Sequence, residues 1–223
     1  MSLHSRHPMV FVVDNDPDCT ESVRRLADSV ALQVEAYTSG LDFFDHVNYD
    51  RPGCLVLELR LPDMSGLEFQ RALRARGFTL PFIFLTTGAD VPDAVTAMKA
   101  GAFDFIEKPF RSNALLGQIQ SAITRDRAFR EKWTKRLEAQ ERTARLTRRE
   151  RQVMELVISG LQNKQIAERL QISPKTVEIH RYKMMRKLEA HSVAELVRTA
   201  DLSMFTRDEQ ATVESRMSFR DQP

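Results

Sequence analysis

The chain has 223 residues, of which 42% are hydrophobic and 29% charged, with a formal net charge of +2. This composition excludes a disordered chain and suits one large packed domain or two small ones. No apolar run approaches the roughly 20 residues needed to cross a bilayer, and the run Met9 to Val13 is too short for a signal peptide. We therefore expect a soluble, cytoplasmic protein without a membrane partner. Cys19 and Cys54 lie in separate elements without a CxxC pattern, which favours buried thiols over a disulfide or a metal site.

Charge is divided unevenly along the chain. Residues 1–122 contain 11 Lys and Arg against 16 Asp and Glu, a balance of −5, whereas residues 123–223 contain 22 against 15, a balance of +7. An acidic half joined to a basic half predicts two domains. The positive charge of the second domain is compatible with binding to nucleic acid, although a basic surface that only faces solvent has the same charge balance.

Short apolar strands alternate with amphipathic helices in the first half. The predicted strands lie near 9–14, 32–37, 54–58, 82–87 and 102–107. The predicted helices lie near 17–30, 39–48, 66–76 and 91–100, and a fifth begins at Ser112. Strands that are apolar almost throughout, separated by helices, predict an α/β fold with a parallel sheet covered on both faces.

Polar side chains follow four of these strands. They are Asp14, Asn15 and Asp16 after the first strand, Glu58 after the third, Thr86 and Thr87 after the fourth, and Lys108 after the fifth. Because ligands of such folds bind at the carboxyl ends of the strands, we expect a functional site here, although strand ends are often polar by chance. The Lys108–Pro109 bond can be cis, which would turn the lysine back into the crevice.

Residues 112–146 predict a long helix that joins the two halves. They contain no proline, and apolar residues recur at helical spacing from Leu116 onward. Phe129, Trp133 and Leu137 form a stripe spaced by four. This stripe fits a second protomer, the first domain or the second domain, and the pattern leaves the choice open.

The second half predicts four helices. Thr147 and Glu150 form a capping box that opens the first helix, which ends at Gly160. Residues 162–170 predict a short helix, residues 171–173 a tight turn, and Ser173 with Pro174 opens a helix to about Leu188. A fourth helix begins near Ser192. A short helix, a tight turn and a basic helix form a helix-turn-helix, whose second helix enters the DNA major groove. We expect its core to contain Ile166, Ala167, Leu170, Val177, Met184 and Leu188.

Together these motifs resemble the FixJ/NarL type of two-component response regulator. The matching stretches are "VVDNDP", "LRLPDMSG", "FLTTGADV", "AMKAGAFDFIEKPF" and the helix-turn-helix. The resemblance implies a flavodoxin-like receiver with a five-stranded parallel sheet, followed by a small all-α LuxR-type helix-turn-helix domain. The implied divisions are a receiver at 1–122, a helical linker at 123–145, a DNA-binding domain at 146–205 and a polar tail at 206–223.

Two positions depart from the pattern of active receivers. By resemblance, Asp14 takes the first acidic position, Thr86 the switch hydroxyl, Phe105 the switch aromatic and Lys108 the phosphoryl-binding lysine. Glu58 occupies the position of the phosphoaccepting aspartate, and Asn15 that of the second acid. Glu58 carries its carboxylate one methylene too far for in-line attack, and Asn15 offers a neutral oxygen to Mg²⁺. We expect no cofactor and weak or absent Mg²⁺ binding, with Asp14, Asp16 and Glu58 as the residual ligands.

Three interpretations of Glu58 stay open. Its longer, negative side chain can imitate a phosphoaspartate by pairing with Lys108, although a single charge is less than the roughly −1.5 to −2 of a phosphate. Alternatively, the receiver is an inert dimerisation or ligand-sensing module. In the third interpretation Glu58 is phosphorylated despite its length.

The resemblance also implies roles for side chains of the helix-turn-helix. It places Glu178, Ile179 and Tyr182 toward base edges, where a glutamate accepts from cytosine N4 and an isoleucine touches a thymine methyl. It places Lys164, Lys175, Thr176 and Lys183 on phosphates. Arg181 is predicted on the exposed side of the same helix, and we expect it to be a DNA-binding residue as well. The expected partner is double-stranded DNA, bound by a homodimer at paired half-sites, with any cognate histidine kinase unidentified. The plain alternative is a solvated basic helix.

We therefore predict a sequence-specific transcriptional regulator with a degenerate receiver. The alternative is a signalling or interaction protein that is controlled through a partner or ligand of the receiver. An enzyme is the least favoured class. Asp14 and Asp16 form the D-x-D of haloacid-dehalogenase-type phosphatases, but Asp18 stands where that family usually has Thr or Val.

Overall fold

The computed structural model describes residues 7–48, 51–88 and 91–204. They divide into two compact units, the first ending at Arg130 and the second beginning at Glu131. The predicted polar tail at 206–223 lies outside the described residues. Within the described ranges, no helix is both long enough and apolar enough to cross a membrane.

Five parallel strands form the sheet of the first unit. They are β1 (Met9–Val13), β2 (Gln33–Tyr37), β3 (Gly53–Leu57), β4 (Phe82–Thr86) and β5 (Asp104–Glu107). Their spatial order is β2-β1-β3-β4-β5, the flavodoxin-like order. This order places β1, β3 and β4 side by side in the middle of the sheet. The predicted α/β fold is confirmed.

Helices cover both faces of this sheet. They are α1 (Pro17–Asp28), α2 (Gly40–His46), α3 (Gly66–Ala75), α4 (Val91–Lys99) and α5 (Ser112–Ala144). Side chains alternate along each strand, so Phe11 and Val13 enter one hydrophobic core while Val10 and Val12 enter the other. The central strands β1, β3 and β4 are buried along their whole length and are apolar almost throughout, whereas the edge strands β2 and β5 are only partly buried.

Helix α5 extends well beyond the receiver-like sheet, as the helical spacing of residues 112–146 predicts. Near its middle, the buried Asp126 accepts hydrogen bonds from the Gly53 backbone N–H at 3.0 Å and from Arg130 Nε at 2.7 Å. Arg130 also donates to the Arg51 carbonyl at 3.0 Å. These bonds attach the helix to the beginning of β3. Of the apolar stripe, Trp133 is buried, Leu137 half-buried and Phe129 exposed.

Four helices make up the rest of the second unit. They are α6 (Arg148–Ile158), α7 (Asn163–Leu170), α8 (Pro174–Leu188) and α9 (Val193–Ser203). The predicted capping box of Thr147 and Glu150 opens α6, and Ser173 caps α8 by accepting from the Thr176 N–H at 3.1 Å. The predicted core residues Ile166, Ala167, Val177, Met184 and Leu188 are buried, and Leu170 is partly buried against them. The predicted helix-turn-helix therefore lies in a unit with its own hydrophobic core.

Candidate functional site

Asp14 lies directly after β1 at the carboxyl edge of the sheet. Its backbone N–H continues the sheet bonding by donating to the Tyr37 carbonyl at 3.1 Å, so its position is fixed by β1 and β2. The side chain is buried, and its Oδ1 accepts from the Asp16 N–H at 2.9 Å. Its second oxygen, Oδ2, points toward Lys108.

Glu58 lies beside Asp14, after the neighbouring strand β3. Its N–H donates to the Val13 carbonyl at 2.9 Å, which extends the pairing of β1 and β3 by one residue. The buried carboxylate turns back on its own loop, and Oε1 accepts from the N–H groups of Leu59 at 2.7 Å and Arg60 at 3.3 Å. The loop is tight: a Cβ at position 66 would lie 2.6 Å from the Glu58 carbonyl oxygen, so this position requires glycine.

Lys108 joins the two acids. Its Nζ donates to Asp14 Oδ2 at 2.7 Å and to Glu58 Oε2 at 2.8 Å. Burial alone would lower the pKa of Lys108, but the hydrogen bonds to Asp14 and Glu58 raise it above its usual value, so the side chain stays charged. The peptide bond between Lys108 and Pro109 is cis, as the sequence allows. In the sequence, Glu58 and Asp14 precede Lys108 by 50 and 94 positions. The three side chains meet because the strands that carry them end at the same edge of the sheet.

Thr86 and Phe105, the predicted switch residues, lie on the neighbouring strands β4 and β5. Thr86 is fully buried, and its Oγ1 has no hydrogen-bond partner among the described residues. Its carbonyl accepts from the Lys108 N–H at 2.7 Å, which places the threonine next to the lysine. Phe105 is half-buried, and its ring lies 6.0 Å from that of Phe84. Glu58 therefore bonds to Lys108 and to its own loop, and Thr86 takes no part in that network.

Asn15 and Asp16 face solvent. The Asp16 carboxylate caps α1 by accepting from the Asp18 N–H at 3.0 Å, so it does not turn toward Glu58. All four oxygens of Asp14 and Glu58 are already hydrogen-bonded. No group of three or more His, Cys, Asp or Glu side chains in the described part of the chain is arranged to hold a metal ion. The residues present do not fit the Mg²⁺ that the resemblance implies for active receivers.

Cys19 lies close to this pocket, a placement that its spacing in the sequence does not indicate. Burial raises the pKa of the Cys19 thiol to about 12, and the charge of Asp14 adds to the rise. Both cysteines are free and buried, as predicted. At neutral pH Cys19 is therefore an uncharged neighbour of the ion pair, and it offers little nucleophilic thiolate.

The second unit presents a separate candidate surface on α8. Ile179 and Tyr182 keep 48% and 66% of their surface exposed, one turn apart, which is unusual for large hydrophobic side chains. The other exposed side chains of the predicted set are Lys164, Lys175, Glu178 and Lys183. Thr176 is half-buried, with its hydroxyl 2.7 Å from that of Ser173 at the helix cap. One side of the helix thus combines basic, acidic and apolar groups that face solvent.

Arg181 differs from its predicted place on the exposed side of α8. It is half-buried, and its Nη1 donates to Asn163 Oδ1 at 2.9 Å. The reason is helical spacing, since position 181 follows Val177 by four residues and precedes Met184 by three, on the face that packs on α7. Its partner Asn163 carries no signal in the sequence that relates it to Arg181.

The α6 end of the second unit is fixed by a buried acid. Glu150 accepts from Lys187 Nζ at 2.6 Å and from the Thr147 N–H at 2.8 Å. Lys187 lies in the last turn of α8, so the bond ties the end of α8 to the start of α6. The capping glutamate, predicted only as a helix signal, therefore also orients α8.

Comparison with known proteins shows two family matches. Residues 10–120 match the response regulator receiver domain, and residues 144–200 match bacterial regulatory proteins of the luxR family. The response regulator protein TodT of Pseudomonas putida is 39% identical over 89% of this chain and 88% of its own length. The transcriptional regulatory protein FixJ of Azorhizobium caulinodans is 43% identical over 91% of this chain and 96% of its own length.

A solved structure gives the same result. The response regulator StyR is similar with a TM-score of 0.80 and 40% identity, covering 87% of this chain and 98% of that one. The two matched domains contain the two candidate sites, the pocket at the strand ends and the exposed side of α8. The chain belongs to the transcriptional response regulators that combine a receiver domain with a DNA-binding domain of the luxR family.

Proposed function

We propose that the protein is a sequence-specific DNA-binding transcriptional regulator whose receiver works without phosphorylation. The observation that supports phosphorylation independence is the buried ion pair of Lys108 with Asp14 and Glu58. This arrangement gives the lysine two fixed anionic partners before any phosphoryl group arrives. The receiver is then held in one charge state by its own side chains.

Phosphoryl transfer needs a carboxylate oxygen that can turn into line with the donor, and hydrogen bonds that hold the carboxylate in another orientation oppose this. Both oxygens of Glu58 are hydrogen-bonded, one to Lys108 and the other to two backbone N–H groups. A displacement of about 1 Å from the reacting geometry costs on the order of 100-fold in rate. With Asn15 exposed and Asp16 engaged as a helix cap, a metal ion would also lack its usual anionic ligands. The pocket therefore supports lost phosphoryl-transfer chemistry.

In this proposal Glu58 imitates a phosphoaspartate toward Lys108 alone. A bound phosphoryl group would also engage the switch hydroxyl, whereas Thr86 Oγ1 has no partner among the described residues. Replacing Glu58 by Gln removes the charge and keeps the shape. We expect E58Q to bind DNA within about twofold of wild type. A tenfold loss would instead favour the complete imitation of a phosphorylated state.

The labelling experiment tests the receiver directly. Wild type, E58D and N15D/E58D are incubated with acetyl phosphate and Mg²⁺, and the intact chains are analysed by mass spectrometry. We expect no phosphoryl adduct on wild type and the strongest labelling of N15D/E58D, which restores both acids. A phosphoryl adduct on wild type that raises DNA affinity would contradict phosphorylation independence.

A binding titration tests the DNA-binding part. Duplexes are selected by the wild-type chain from a random library and compared with mixed-sequence DNA at two salt concentrations. We expect selective binding by a homodimer to paired half-sites, with a steep salt dependence that reflects lysine contacts to phosphates. A chain that selects no duplex would favour the alternative, an interaction protein controlled through its receiver.

A further inference from the structure

Arg181 lies in the middle of α8 but does not belong to its solvent-facing side. Val177 and Met184 are completely buried, and Arg181 falls on the same helical face between them. A charged side chain on a buried face needs a polar partner. The guanidinium finds it in the amide oxygen of Asn163, at 2.9 Å.

Asn163 is the first residue of α7, so this bond reaches the end of α7 that is farthest from the turn. The near end is held by the turn itself, where Gln171 is left-handed and the Ile172 N–H donates to the Ala167 carbonyl at 3.0 Å. Eight helical residues separate the two attachments by about 12 Å. Between the two attachments, Ile166 and Ala167 pack in the hydrophobic core. The bond from Arg181 adds a directional contact at the far end of α7, which holds the helix at its angle to α8.

The angle between α7 and α8 matters for DNA binding because of Lys164, the neighbour of Asn163. Lys164 is exposed and is the predicted phosphate contact on α7, while Glu178 and Tyr182 are exposed on α8. These side chains can engage one duplex together only if the two helices keep a fixed angle. Phosphate contacts set the register of the protein on DNA, and base contacts then read the sequence in that register.

We propose that Arg181 is a positioning residue for DNA recognition, which acts through Asn163 and not by contacting phosphate. The inference rests on the proposed DNA-binding function and replaces the role predicted for Arg181 from the sequence. Loss of the bond would weaken selective binding, because base contacts need the fixed register. It would leave the sequence-independent attraction to DNA almost intact.

The experiment uses the full chain and four variants: R181M, N163A, N163A/R181M and the matched control K183M. R181M and K183M each remove one positive charge from α8, whereas N163A keeps all charges. Dissociation constants are measured against salt concentration for a duplex selected by wild type and for a mixed-sequence duplex. Circular dichroism verifies that each variant is folded, and N163A decides the outcome if R181M does not fold.

We expect R181M and N163A each to weaken the selected duplex about tenfold, with the double variant no worse than either. Their salt slopes should equal that of wild type, whereas K183M removes one lysine from each chain of the dimer, which should lower the magnitude of the slope by about 1.8, and should weaken both duplexes. A reduced slope for R181M, or wild-type selectivity for N163A, would overturn the positioning role. Failure of wild type to select any duplex would overturn the proposed function as well, and this result is seen before any variant is measured.

Discussion

At the residue scale, Lys108 compensates the negative charge of two buried carboxylates, those of Asp14 and Glu58. Side-chain exposure is 2% for Asp14 and 9% for Glu58, so neither charge is well solvated. Removing one partner from a buried ionic group costs more than the intact group contributes, because the remaining charge stays buried without compensation. The lysine is therefore a stability determinant whatever its role in signalling.

Replacing Lys108 by Met tests this charge balance. We expect K108M to lower the free energy of unfolding by about 3 kcal/mol, measured by urea denaturation followed by circular dichroism. Adding E58Q removes one of the two unpaired charges and should recover about 1 kcal/mol. The control K99M changes an exposed lysine at the end of α4 and should stay within about 0.5 kcal/mol of wild type. Equal effects of K108M and K99M would mean that the ion pair does not stabilise the fold.

Single residues show where sequence reasoning succeeded and where it did not. The convergence of Asp14, Glu58 and Lys108 followed from topology, because parallel strands end at one edge. The position of Arg181 did not follow, since a charged residue inside a basic segment was assigned to the exposed side. The hydrogen bond to Asn163 is a tertiary contact, and the residue types at positions 163 and 181 do not predict it.

At the element scale, the ion pair of Glu150 and Lys187 connects α6 to α8. Glu150 is buried, and it both closes the capping box and accepts from the lysine. Burial alone would raise the pKa of Glu150, but the hydrogen bonds from Lys187 and Thr147 outweigh it and lower the pKa below its usual value. The contribution of this carboxylate to stability must therefore depend on pH.

The direction of that dependence follows from linkage. Because the pKa is lower in the folded state, the stabilisation is complete above the unfolded pKa of about 4.3 and is lost as pH falls through the folded value. We expect E150Q to cost about 2 kcal/mol at pH 7, with the difference from wild type shrinking below about pH 4. Denaturation curves from pH 3 to 8 would measure it. The control is E155Q, which alters an exposed acid of the same helix. A cost of E150Q that does not change with pH would contradict the linkage.

The contact of α5 with the start of β3 gives a second prediction at this scale. Replacing Asp126 by Ala leaves the Gly53 N–H and the Arg130 guanidinium without this acceptor. We expect a loss of about 2 to 3 kcal/mol in unfolding free energy and faster hydrogen exchange of the Gly53 amide, observed by NMR. E131A, a neighbouring exposed acid on the same helix, should change neither quantity. An unchanged Gly53 exchange rate in D126A would show that Asp126 does not hold β3.

Elements were more predictable from sequence than the contacts between them. Each predicted strand and helix with stated bounds ends within two residues of its observed position, because buried strands and caps such as Ser173 with Pro174 are local signals. Asp126 and Gly53 are 73 residues apart, and nothing local relates them. The stripe of Phe129, Trp133 and Leu137 was recognised as apolar, but its partner stays undetermined by spacing.

At the scale of the whole molecule, the division of charge bears on how the protein meets DNA. The first 122 residues carry a balance of −5 and the remaining 101 carry +7. An acidic domain is repelled by phosphates, so affinity must come from the basic part of the chain. The exposed lysines proposed as phosphate contacts are Lys164, Lys175 and Lys183. Their number per duplex sets how steeply binding falls with salt.

The salt dependence therefore reports how many chains bind one duplex. With about 0.9 ions released per contact, three lysines from one chain give a logarithmic slope near −3, and six from two chains give a slope near −5. We expect the steeper value on the selected duplex, measured by fluorescence anisotropy, because the proposed homodimer would engage paired half-sites. Replacing all three lysines by Gln should remove most of the slope, whereas K99Q in the acidic half should leave it unchanged. A slope near −3 with a single chain on the duplex, counted by analytical ultracentrifugation, would contradict binding as a dimer.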